Sequence, residues 1–149
     1  MLFLTKKIFC PTEFSKPARR GVDAAVEMAE KFSTEPILVH VTLAPWRSGS
    51  FQRATNKERH TAYAHEAMAR LIKESVPSQI KCRSQIIGGM LVRPANAIVQ
   101  LAEEEAADLI VLASHGQSGW GRIFFGSVAE NVVCLSICPV LTLKRPNSI

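Results

Sequence analysis

Short apolar runs alternate with amphipathic stretches along the whole chain, and that alternation restricts the fold more than any single residue does. Runs rich in apolar and β-branched residues at positions 6–11, 36–42, 79–87, 109–114 and 140–144 predict five strands. Between them, Val22, Ala25, Val26, Ala29 and Phe32 recur at helical spacing, with Ser15 as a cap and Pro17 in the first turn, predicting a helix over 15–32. Residues 43–54 read as a polar surface loop. The box Thr55-Asn56-Lys57-Glu58 then opens a helix to about residue 76, with Ala64, Ala67, Met68, Leu71 and Ile72 as its buried stripe. A Gly88-Gly89 break precedes a helix from Pro94 to about residue 106, and a last helix ends at Cys138-Pro139. Strand and helix in strict alternation predict an α/β fold, a parallel sheet with helices on both faces.

Bulk properties add bounds. A chain of 149 residues with 47% hydrophobic and 21% charged side chains predicts one soluble domain over 1–149. The apolar runs are strand-length, so no membrane partner is expected. The start, MLFLTKKIF, places apolar residues before its lysines, the reverse of a secretion signal, and predicts an intracellular protein. Four cysteines without a C-x-x-C, and histidines not spaced to complete a zinc set, read as buried free thiols with no metal site. The net charge of +5 favours small anions, while the scattered basic residues, not interleaved with aromatics, argue against nucleic acid. His60, His65 and Glu66 read as solvent-facing, and Glu103, Glu104 and Glu105 as a wet helix face.

The stretch LIVLASHGQSGWGRIFFGSV, residues 109–128, carries the chemistry. A buried strand runs into His115 and a loop with three glycines in six positions, and Gly126-Ser127 then opens the last helix. Glycines let a backbone approach an anion, and amides at a helix start point toward it, so the stretch is either a phosphate site or only a tight turn. Named nucleotide devices do not close: Ser127 stands where a Walker loop needs lysine, and Phe124 stands where a dinucleotide fingerprint needs glycine. Arg122 is either a cation for that site or a solvated side chain. In open parallel sheets a ligand lies beyond the carboxyl ends of the strands; if the first strand neighbours the fourth, Pro11 to Glu13 form the opposite wall, with His40 to Thr42 nearby.

Along nearly its whole length the chain resembles the universal stress protein family. The resemblance rests on KKIFCPTEFS, ILVHV, IVQLAEEEAADLIVLASHG and GSVAENVVCLSICPVLTLK. Nucleotide-binding members carry Gly-x-x-Gly, nine residues, then Gly-Ser or Gly-Thr; here Gly116, Gly126 and Ser127 match, and Ala113 takes the first position. The resemblance implies an open five-stranded parallel sheet of order 3-2-1-4-5, of the adenine nucleotide alpha hydrolase-like kind. It also implies a cytoplasmic stress-response protein that forms a homodimer through the last strand (Val140, Leu141, Thr142, Leu143 and Lys144) and acts through partners.

The ligand implied is an adenine nucleotide, ATP with or without Mg or Mn. Pro11, Thr12, Glu13, Val41 and Leu112 would line its adenosine side; Ala113, His115, Gly116, Gly126, Ser127, Val128 and Ala129 would surround its phosphates. Two positions depart from the family: Glu13 stands for aspartate, and Ala113 adds a methyl where glycine is usual. Alanine there is strained if φ is positive and merely crowded if it is negative. Two other readings accompany this one: an interaction module of the same fold that binds no nucleotide, and a slow ATPase with His115 or Glu13 placing a water.

Overall fold

The computed structural model describes residues 5–42, 50–88, 93–114 and 127–144, without the side chains of 50–58 and 60. Nine elements follow in chain order: β1 (Lys7–Pro11), α1 (Lys16–Phe32), β2 (Glu35–Thr42), α2 (Ser50–Ser75), β3 (Arg83–Gly88), α3 (Pro94–Glu104), β4 (Leu109–Ala113), α4 (Ser127–Leu135) and β5 (Val140–Leu143). The strands form one parallel sheet of order β3-β2-β1-β4-β5. This is the α/β architecture and strand order that the residues and the resemblance imply.

The period-2 alternation of strands sorts the core into two layers. Ile8, Cys10, Leu38 and Val111 face α1 and α2, meeting Val22, Ala25, Val26, Met68 and Leu71. Phe9, Ile37, Val39, Ile110 and Leu112 face the other way, against Ile98, Val99 and Ala102 of α3 and Ala129 and Val132 of α4. Strands β1, β2 and β4 are therefore covered on both sides, which is why their sequences lack polar alternation.

Local signals place most helix ends. The Ser15 hydroxyl accepts from the Ala18 amide at 3.2 Å and caps α1, with Pro17 in its first turn. Pro94 starts α3 in the same manner, without a side-chain cap. Other expectations need correction. Helix α2 begins at Ser50, so residues 50–54 are helical and the Thr55 box lies inside the helix; residues 43–49 lie outside the described residues. Strand β3 starts at Arg83 because residues 77–80 turn, the Ile80 amide bonding to the Pro77 carbonyl at 3.0 Å, and Gly88 ends the strand instead of breaking it. Helix α4 ends at Leu135, three residues before the expected stop at Cys138-Pro139, and strand β5 stops one residue short of Lys144.

His65 and Glu66 are exposed, as expected; the side chain of His60 lies outside the described residues. The cysteines divide: Cys10 is buried, Cys82 and Cys138 are half-buried and Cys134 is exposed, so the expectation of uniformly buried thiols fails at Cys134. Burial pushes the Cys10 thiol up to about 12, with Cys82 and Asp23 adding to it. Among the described residues no helix is long and apolar enough to cross a membrane.

Glu105 also departs from the wet-face expectation. Its carboxylate pairs with Arg83 at 2.8 Å and accepts from the Gln85 amide at 2.9 Å, while Arg83 also grips Glu35. The Lys7 ammonium donates to the Glu105 carbonyl at 2.9 Å. Asp108 takes the Lys6 and Lys7 amides at 2.8 and 2.9 Å. These contacts tie the amino ends of β1, β2 and β3 to the turn between α3 and β4. The Arg83 guanidinium holds the Glu105 carboxyl below its ordinary range, against partial burial, with Gln85 and Lys7 assisting.

Helix α1 also lies close on β4. A Cβ at Gly21 would sit 3.0 Å from the Ala113 amide nitrogen and 3.4 Å from the Leu112 carbonyl carbon. The neighbour is the backbone of a strand bonded on both edges, so it cannot yield cheaply. Gly21→Val is expected to destabilise the fold by about 2 kcal/mol through overpacking, read as a lower midpoint in chemical denaturation. A folded-state carboxyl below its unfolded value of 4.5 stabilises fully above that value and loses its contribution as pH falls through the folded-state value. Glu105→Gln is accordingly expected to cost about 1 kcal/mol at neutral pH, Arg83 being partly solvated, with the gap to the parent closing in acid. Thermal unfolding as a function of pH measures it.

Candidate functional site

Strand β1 sits between β2 and β4, and α1, which follows β1, packs on one face of the sheet while α4, which follows β4, packs on the other. The carboxyl ends of these neighbours therefore part, and the gap is the usual ligand position in such sheets. A cleft of about 560 Å³ opens there. Its floor is the strand ends, Pro11 and Thr12, Val39 to Thr42, and Leu112 and Ala113. Its walls come from Glu13, Phe14 and Ala18 where α1 begins, Tyr63 on α2, Pro94 and Ile98 of α3, and Ser127 to Ala129 of α4.

Nine of the twelve candidate residues line this one cleft: Pro11, Thr12, Glu13, Val41, Leu112, Ala113, Ser127, Val128 and Ala129. His115, Gly116 and Gly126 lie outside the described residues, as does Arg122. Ala113 is the last residue of β4, opposite Leu143, and its φ is not positive, so its methyl brings crowding without backbone strain. Ser127 is the first residue of α4 and is exposed. Ser114, next after β4, is buried, its amide and hydroxyl both bonded to the Leu143 carbonyl at 2.9 and 3.2 Å.

Phe14, Ala18, Tyr63, Pro94 and Ile98 were not singled out by sequence. Phe14, Ala18, Pro94 and Ile98 had a usable signal: the first turns of helices that follow strands stand at the carboxyl edge of the sheet. Tyr63 had none, since it projects from the middle of a helix.

The turn from β1 into α1 is the most constrained wall. The Thr12 amide prolongs the ladder to the Val39 carbonyl at 2.8 Å, and the buried Thr12 hydroxyl accepts from the Phe14 amide at 3.1 Å. Phe14 has φ of 66°, a left-handed conformation that costs a bulky L-residue about 1–2 kcal/mol. His40 reaches across from β2: its Nδ1 is 2.8 Å from the Thr12 carbonyl oxygen, and its ring packs on Phe14 with centroids 4.5 Å apart. Glu13, carried outward by this turn, accepts from the Ser15 hydroxyl at 2.8 Å.

The chemistry on offer is binding. The cleft is mainly apolar, with Thr12, Glu13, His40, Thr42 and Ser127 as polar groups, which suits a planar ring with a polar edge. Among the described residues no group of three or more His, Cys, Asp or Glu is placed to hold a metal.

The Universal stress protein family matches the chain over residues 5–144. Universal stress protein MJ0531 of Methanocaldococcus jannaschii is 32% identical over 148 residues, covering 96% of this chain and 84% of the relative. Universal stress protein MJ0577 of the same organism is 33% identical over 169 residues, covering 99% of this chain and all of the relative. The solved structure of MJ0577 matches with a TM-score of 0.79, covering 98% of this chain and 100% of its own. A universal stress protein solved in complex with cAMP matches with a TM-score of 0.65 at 24% identity, covering 94% and 97% of the two chains, a likeness of fold.

Proposed function

The chain belongs to the universal stress protein family, and from that premise we propose that it binds an adenine nucleotide, ATP in the first instance, in the cleft at the carboxyl ends of β1, β2 and β4. The observation that carries this reading is the convergence of nine sequence-picked residues, from four separate elements and their flanks, on one cleft large enough for a nucleotide. Membership in a family with a member solved in complex with cAMP supports the same ligand class. Pro11, Thr12, Glu13, Val41 and Leu112 take the adenosine side; Ala113, Ser127, Val128 and Ala129, with His115, Gly116 and Gly126, take the phosphates. A Mg or Mn ion would arrive with the phosphates, because the cleft offers no carboxylate set of its own among the described residues.

The protein then acts in the cytoplasm, in stress response, by carrying nucleotide state to partners as a homodimer. Support for the dimer is local. Strand β5 is a sheet edge, and an unpaired edge invites another strand. Beside it, Val133, Leu135, Ile137 and Leu141 are exposed apolar residues, Ile137 at 83%. The Glu13 and Ala113 departures favour a second reading, an interaction module of this fold without nucleotide.

Calorimetric titration of nucleotide-free protein with Mg-ATP is expected to give a single site per chain; absence of heat and of any thermal shift at millimolar ligand would remove the nucleotide reading. Binding that appears only after Glu13→Asp with Ala113→Gly would establish the second reading. For the dimer, Leu141→Lys is expected to convert it to monomer in sedimentation equilibrium, and a parent chain already monomeric at high concentration would sink the edge-strand interface.

A further inference from the structure

His40 lines the cleft but has no part in the reading above, and its geometry gives it one. A carbonyl oxygen only accepts, so the 2.8 Å contact with Thr12 places the proton on Nδ1. In the neutral ring Nε2 is then bare. The same ring packs against Phe14, the residue held at φ 66°. Thr12 and Phe14 flank Glu13, so the imidazole grips the turn on both sides of the carboxylate that the cleft presents. A left-handed bulky residue persists only where its surroundings over-determine it, and such residues gather at binding sites. Here the surroundings are the Thr12 hydroxyl on the Phe14 amide, the Thr12 amide on the Val39 carbonyl, and His40.

We propose that His40 is a positioning residue of the nucleotide cleft: it acts through its Nδ1–H on Thr12 and its ring on Phe14 to hold the β1–α1 turn, and with it Glu13, in the ligand-accepting conformation. It touches the turn, and the turn touches the ligand. This rests on the nucleotide reading, and the test separates the two.

The experiment titrates Mg-ATP into the parent chain and into His40→Ala, His40→Asn and His40→Gln, each checked for cooperative thermal unfolding. Asparagine carries a donor near the Nδ1 position, glutamine one near Nε2. The expected result is that the asparagine variant binds like the parent, while the alanine and glutamine variants weaken about tenfold, the size of one lost hydrogen bond. Glutamine that preserves binding where asparagine fails would make Nε2 a direct ligand contact and overturn the proposal. So would asparagine no better than alanine, or three variants equal to the parent. Independently of any variant, the imidazole ¹⁵N spectrum of ligand-free parent at about pH 8 is expected to show the Nδ1–H tautomer. An Nε2–H tautomer there overturns it. A parent that binds no Mg-ATP removes the nucleotide reading itself, and the positioning role falls with it.

Discussion

Everything about the cleft follows from β1 lying between β2 and β4 in a parallel sheet. Parallel neighbours need crossovers, and α1, which follows β1, and α4, which follows β4, lie on opposite faces of the sheet. Helices placed on opposite faces after adjacent strands do not fill the space between the strand ends. The hollow is thus a by-product of topology, present before any side chain is chosen. What the sequence adds is its lining: small residues at Ala18, Ala113 and Ala129 keep it open, and the Thr12–Phe14 turn gives one wall a fixed shape.

The two ends of the sheet are built from different materials. At the amino ends, Arg83, Glu35, Glu105, Gln85, Asp108 and Lys7 form a connected polar set that joins three strands to the turn after α3. At the carboxyl ends the described residues show no ion pair between strands: the cleft lining is mainly apolar, and its polar side chains, Thr12, His40 and Thr42, bond to backbone.

How far the sequence could be read depended on how local each signal is. Ser15 announced α1 because a cap needs only its own turn, and the strands announced themselves by apolar runs. The Thr55 box misled because a capping sequence is silent once a helix has already begun upstream. Residues 50–54 contain neither glycine nor proline, so the helix propagates through them. Glu105 was misread for the opposite reason: its partners Arg83 and Gln85 are twenty or so residues away, and no pattern within a helix reveals them. At the cleft, positions at strand ends were legible from topology, whereas Tyr63 and the His40–Thr12 bond depend on how elements pack.

The placement of the thiols has a consequence for oxidative conditions. A cysteine sulfur attacks peroxide as thiolate, and at Cys10 that form is suppressed by a central strand sealed under two layers of helix. Cys82, pushed up to about 11, is muted in the same way. Cys134, on α4, is the exposed one of the four thiols and the most accessible to peroxide. A redox mark written there sits among the exposed apolar residues Val133, Leu135 and Ile137.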